Sequence, residues 1–82
     1  MALKALLVIP TKNATWRRYT ELAIAPFPGL GIRLDVYDMV NVNSVVIGDP
    51  AYDVTCIVSP ESGTPWTAAQ LQRLGFEIGP YP

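Results

Sequence analysis

Thr15-Trp16-Arg17-Arg18-Tyr19-Thr20-Glu21-Leu22-Ala23-Ile24-Ala25 can be read in two ways, and the rest of the architecture depends on which is right. As a strand, it places Trp16, Arg18, Thr20, Leu22 and Ile24 on one face and Arg17, Tyr19, Glu21, Ala23 and Ala25 on the other. As a helix, it would be capped by Asn13 and would line Trp16, Tyr19 and Ala23 along one stripe. Pro26 ends either version. Periodicity does not separate the two over so short a run, and the strand is the favoured reading.

Next in the chain comes Pro26-Phe27-Pro28-Gly29-Leu30-Gly31. Two prolines and two glycines break any regular element, and Pro28-Gly29 is the natural central pair of a type II turn. So tight a loop leaves little room for Phe27 and Leu30 to turn inward together. One is expected in the core and the other on the surface. Beyond it, residues 31–38 alternate apolar and polar like a half-buried strand, with Ile32, Leu34 and Val36 inward.

Toward the N-terminus, residues 2–9 read as a first strand edged by Pro10, and Thr11-Lys12-Asn13-Ala14 as a polar turn. On the other side, residues 40–47 form another strand whose alternation slips at Asn43-Ser44, because Val42 and Val45 cannot both face inward on a regular pleat. A bulge, or burial of both faces, accounts for the slip. Gly48-Asp49-Pro50-Ala51 is a turn. Residues 52–58 are a strand with Tyr52, Val54, Cys56 and Val58 on one face, and residues 59–63 are a loop.

Thr64 is placed as an N-cap, with Pro65 at the first helical position where its missing N–H costs nothing. The helix is expected over 65–74, with Ala68, Leu71 and Leu74 inward and Thr67 and Gln70 near the edge. Gly75 suits the left-handed residue at its C-terminal end. Phe76-Glu77-Ile78 is a short closing strand and Gly79-Pro80-Tyr81-Pro82 a tail.

The expected order is β-β-β-β-β-α-β: a mainly β fold with one helix, built as a small barrel or a strongly bent antiparallel sheet. In strand number and strand length this outline is similar to SH3-like small barrels, with no sequence motif shared.

Eighty-two residues have room for one small domain with one core. A chain this size buries roughly 60–65% of the surface its unfolded form exposes. Half of the residues are apolar and only 16% are charged, which argues against disorder. That balance leaves more apolar surface than a small interior can hold, so a partner or a second copy is expected to cover some of it. The net charge of −1 gives no long-range field toward nucleic acid or acidic membranes. Cys56 is the only cysteine, so an internal disulfide is impossible and a cytoplasmic setting is the simpler expectation. The apolar run near the N-terminus is too short for a signal peptide, and no run nears the ~20 residues a membrane span needs.

Catalytic chemistry is limited by composition. The chain has no histidine, which removes Ser-His-Asp and Cys-His arrangements and the usual zinc sites. Ser44, Ser59 and Ser62 have no identifiable base beside them. Asp35 with Asp38, and Asp49 with Asp53, form carboxylate pairs whose spacing fits turn chemistry better than a calcium loop. Gly29-x-Gly31 precedes a strand, so it lacks the helix N-terminus that a phosphate-binding loop requires. No catalytic residue, metal ligand or cofactor is assigned.

The expectation is a non-catalytic interaction module that pairs with another copy or another protein through apolar surface or an exposed strand edge. Trp16, Tyr19, Phe27, Leu30 and Trp66 are its candidate anchors, since aromatics beside loops dominate interfaces. The alternative is a nucleic-acid-binding small barrel in which Arg17, Arg18 and Arg33 contact phosphates while Trp16 and Tyr19 stack on bases.

Overall fold

A computed structural model describes residues 2–79. Strands run over Leu3–Pro10 (β1), Thr15–Leu22 (β2), Gly31–Arg33 (β3), Met39–Val46 (β4), Val54–Pro60 (β5) and Glu77–Ile78 (β6), and the helix α1 covers Ala68–Arg73. The element order is the one expected from the sequence, and the 15–25 segment is a strand up to Leu22. Of the expected tail, Pro80, Tyr81 and Pro82 lie outside the described residues.

The six strands form one sheet in the order β3-β4-β5-β1-β2-β6, curled into a half-barrel. The pairing is mixed rather than wholly antiparallel. β1 and β5 run parallel, with Ala5 opposite Val54 and Val8 opposite Ile57, and every other pair is antiparallel. The parallel pair results from residues 23–30, which carry the chain from β2 to the far edge past β1, β5 and β4. On a flat sheet that is about 19 Å, at ~4.8 Å per strand spacing. Eight residues reach at most about 28 Å, and the curl shortens the path.

The turn at the end of this strap is the expected one. Leu30 N donates to Phe27 O at 3.0 Å across Pro28-Gly29, and Gly29 has φ +98°. Gly29 N also donates to Val42 O, while Val42 N donates to Leu30 O. Two residues on one strand therefore face one on the other, with the first a left-handed glycine. That is the G1 bulge pattern, so one glycine serves both turn and bulge.

The core fills the concave side. Ala5, Leu7, Ile9, Trp16, Leu22, Val40, Val42, Val54, Cys56 and Val58 meet Leu71 and Leu74 of the helix and Phe76 just after it. Burying each large apolar side chain contributes about 1.5–3 kcal/mol. β1 is buried on both faces: Leu6 is flanked by Tyr19 and Thr55, and Val8 by Arg17 and Ile57. Its unbroken run Ala5-Leu6-Leu7-Val8-Ile9 is what a central strand with a parallel neighbour requires.

The slip in β4 is a bulge, with a register shift between Val42 and Ser44. It lets both Val42 and Val45 pack on the core.

Three local expectations are corrected. The 31–38 strand stops at Arg33, and Val36 is exposed rather than inward. Asp35 Oδ1 accepts the Val36 N–H and Arg33 Nη1 donates to Val36 O, so a side-chain-bonded turn displaces the ladder. Tyr52 lies outside β5 and packs on Tyr19, with ring centroids 6.2 Å apart. Its neighbour Asp53 is held by Lys4, whose N–H donates to Asp53 Oδ2. The helix is shorter than expected and starts later: Thr67, not Thr64, is the N-cap, and Ala68 is exposed. Trp66 and Leu71 then occupy the two positions of a hydrophobic staple, before the cap and one turn after it. Gly75 is left-handed after the helix, as expected.

Candidate functional site

The five candidate anchors do not share one surface. Trp16 is 5% exposed and belongs to the core, because the strand places it with Leu22 on the concave face. It is corrected from surface anchor to core residue. Leu30 and Trp66 pack against the same core from its rim. Tyr19 and Phe27 are about half exposed, Tyr19 on the outer face of β2 and Phe27 on the strap. Of the Phe27–Leu30 pair, then, Leu30 turns inward and Phe27 outward.

The arginines are dispersed as well. Arg17 and Arg18 alternate on β2, while Arg33 sits on β3 at the opposite end of the strand order and donates to the carbonyl of Val36. With Trp16 buried, the stacking pair of the nucleic-acid reading is not assembled on one face.

Each aspartate has a partner. Asp35 accepts from Val36 N, Asp49 from Ala51 N and Asp53 from Lys4 N, and Asp38 pairs with Arg73 at 3.4 Å. Ser59 is bonded to Asn43, and Ser62 accepts the Thr64 N–H. Among the described residues no group of three or more His, Cys, Asp or Glu could hold a metal ion, and no helix is long and apolar enough to cross a membrane.

One strand edge stands open that the sequence reading did not single out. The ladder between β3 and β4 reaches no further than Val42, where Gly29 and Leu30 bond to it. β4 continues to Val46 with only β5 beside it. Val46 is 45% exposed and Ile47 79%. The bulge at Asn43 resets the alternation so that Val45 packs inward and Val46 outward. The available signal was composition: residues 40–47 contain neither a charge nor a proline. Edge strands are ordinarily protected by one or the other. The other edges are short and charged, β3 carrying Arg33 and β6 carrying Glu77.

Two clefts flank the sheet. One of about 590 Å³ opens beyond the C-terminal ends of the parallel pair, between Pro10, Lys12, Ser59, Pro65 and Trp66. The other, about 330 Å³, is lined by Arg17, Arg18, Tyr19, Tyr52 and Glu77 above Leu6. Tyr52 Oη accepts from Arg17 Nη2 at 3.2 Å, and the Tyr19 hydroxyl donates to Glu21 at 2.9 Å. The bond to Glu21 raises the Tyr19 pKa, helped by desolvation and by the nearby charges of Glu21 and Asp53. Burial alone pushes the Cys56 thiol up.

No family model matches the chain, and neither a curated protein nor a solved structure is significantly similar to it.

Proposed function

We propose that this chain is a non-catalytic interaction module that self-associates through the open end of β4. The observation that carries the reading is the stretch Asn43–Val46, paired with β5 on one side and with no strand on the other, uncharged and free of proline, and leading into exposed Ile47. A strand edge presents a row of N–H and C=O groups that another strand completes. Two copies joined β4 to β4 in antiparallel fashion would form an isologous dimer in which each supplies the other's missing neighbour. Val46 and Ile47 would add apolar burial, and Phe27, on the strap whose turn bonds to Val42, stands at the same edge. The non-catalytic half of the reading is supported by the aspartates, each of which serves a turn, a backbone N–H or an ion pair.

Light scattering over a range of protein concentrations tests it. The mass should rise toward that of a dimer, and Val46→Lys should return it to the monomer without loss of fold. A wild-type chain that stays monomeric at every concentration overturns the proposal.

A further inference from the structure

We propose that the cleft where β1 and β5 part binds a small apolar monocarboxylate, its body against Trp66 and the prolines beside it and its charge toward Lys12. The two strands pair from Ala5 opposite Val54 to Val8 opposite Ile57 and no further. β1 nevertheless runs on to Pro10, opposite Thr15, and β5 to Pro60, opposite Val40. Each strand keeps its other neighbour while the two separate. Alternation explains where they do so. Lys4 turns both its N–H and its C=O toward Asp53, so Pro10 turns its nitrogen to that same side and has no hydrogen to continue the ladder. Past that point the ladder no longer closes the seam, and a cavity of about 590 Å³ opens there.

Its size falls within the range of small-molecule sites, about 300–1,000 Å³. Its reachable apolar wall is made by Trp66 and Pro60, both partly exposed, and by Pro10 and Pro65, both exposed. The only charged side chain among the lining residues is Lys12, itself exposed. The turn that carries it is fixed, because Thr11 N and Thr11 Oγ1 both donate to Ala14 O, at 2.8 and 2.6 Å. The remaining polar lining is neutral, and Asn43 Nδ2 donates to Ser59 Oγ at 3.2 Å. Glu61, next along the chain from Pro60, lines a separate hollow with Met39 and Tyr37. One cation, no acid and an apolar wall complement an apolar body that carries a single negative charge. An amine would meet Lys12 as a like charge, and a dianion would lack a second cation. The cleft is built at the β1–β5 seam and does not depend on self-association through β4.

The probes are phenylacetate, phenylacetamide and phenethylamine, which place a negative, a neutral and a positive group on the same ring. Each is titrated at constant ionic strength and followed by NMR through the indole N–H signals of Trp66 and Trp16. Phenylacetate should shift the Trp66 signal saturably, while the signal of Trp16, buried in the core, moves less. Phenylacetate should bind about threefold more tightly than phenylacetamide, the worth of one exposed ion pair, and phenethylamine should bind most weakly. Lys12→Glu should reverse that order. Lys12 is exposed, so the variant keeps its fold. Linear shifts with all three probes overturn the site. Affinity for phenylacetate no greater than for phenylacetamide, or an order left unchanged by Lys12→Glu, overturns its assignment to a carboxylate.

Discussion

Thr67 and Gln70 satisfy each other's backbone: Thr67 N donates to Gln70 Oε1 at 2.8 Å, and Gln70 N donates to Thr67 Oγ1 at 3.2 Å. This capping box fixes where the helix starts, three residues after the threonine that Pro65 singles out. Thr67→Ala should therefore destabilise the fold by about 1 kcal/mol, read as a lower urea midpoint. Thr64→Ala should stay within about 0.5 kcal/mol of wild type. The reverse ranking would place the cap at Thr64.

The misplaced cap illustrates what was and was not legible in the sequence. Thr64-Pro65 and Thr67-x-x-Gln70 are both start signals, and only the second satisfies two donors at once. The strand order in sequence, the bulge at Asn43, the Pro28-Gly29 turn and the left-handed Gly75 all arise from local chemistry. They could be read one segment at a time. The parallel pairing of β1 with β5 could not, since it depends on where the strap of residues 23–30 carries the chain. The early end of β3 was hidden as well, because Asp35 bonds its own neighbour in competition with the ladder. As for the candidate site, alternation along β2 already set Arg17 and Arg18 on opposite faces. The open end of β4 escaped notice because its significance lies in a neighbour it lacks.

Gly29 is required by its conformation and not by crowding. Its φ is +98°, and a Cβ added there would meet no atom within 4 Å. Gly29→Ala should cost about 1–2 kcal/mol, the penalty of left-handed backbone for a residue with a side chain. Gly29→Asn should cost less, because asparagine tolerates that region. Equal urea midpoints for wild type and Gly29→Ala would refute the shared turn and bulge.

The bond from Tyr19 to Glu21 has a consequence at high pH. Glu21 holds the phenol in its neutral form, so the folded-state pKa lies above the ordinary ~10. The contribution of Tyr19 to stability is then complete below pH ~10 and is lost as pH rises through the higher folded value. Ultraviolet titration should show one of the chain's tyrosines ionising late, and Glu21→Gln should bring it earlier. No change in the titration of the Glu21→Gln variant would count against the bond.

Cys56 has no exposed surface and sits opposite Leu7 and Val45 in the middle of the sheet. Burial raises its pKa, which further lowers the thiolate fraction that reacts. Labelling by an aromatic disulfide should be slow in the native protein and should accelerate through the urea transition. Prompt stoichiometric labelling in the absence of denaturant would show that the β1–β5 ladder opens locally.

Trp16 and Phe27 are both large aromatics near a turn, yet the fold gives them opposite roles. Trp16 is opposite Ile9 and packs on the concave side, whereas Phe27 is half exposed on the strap. Trp16→Ala should cost about 3–5 kcal/mol, a large share of the stability of a chain this size, and Trp16→Phe a smaller part of it. Phe27→Ala should cost under about 1 kcal/mol in the monomer, yet it should weaken any association through the β4 edge beside it. Urea denaturation at low concentration and light scattering at high concentration separate the two effects. A Phe27→Ala chain as destabilised as Trp16→Ala would mean that the strap, like β2, is folded into the core.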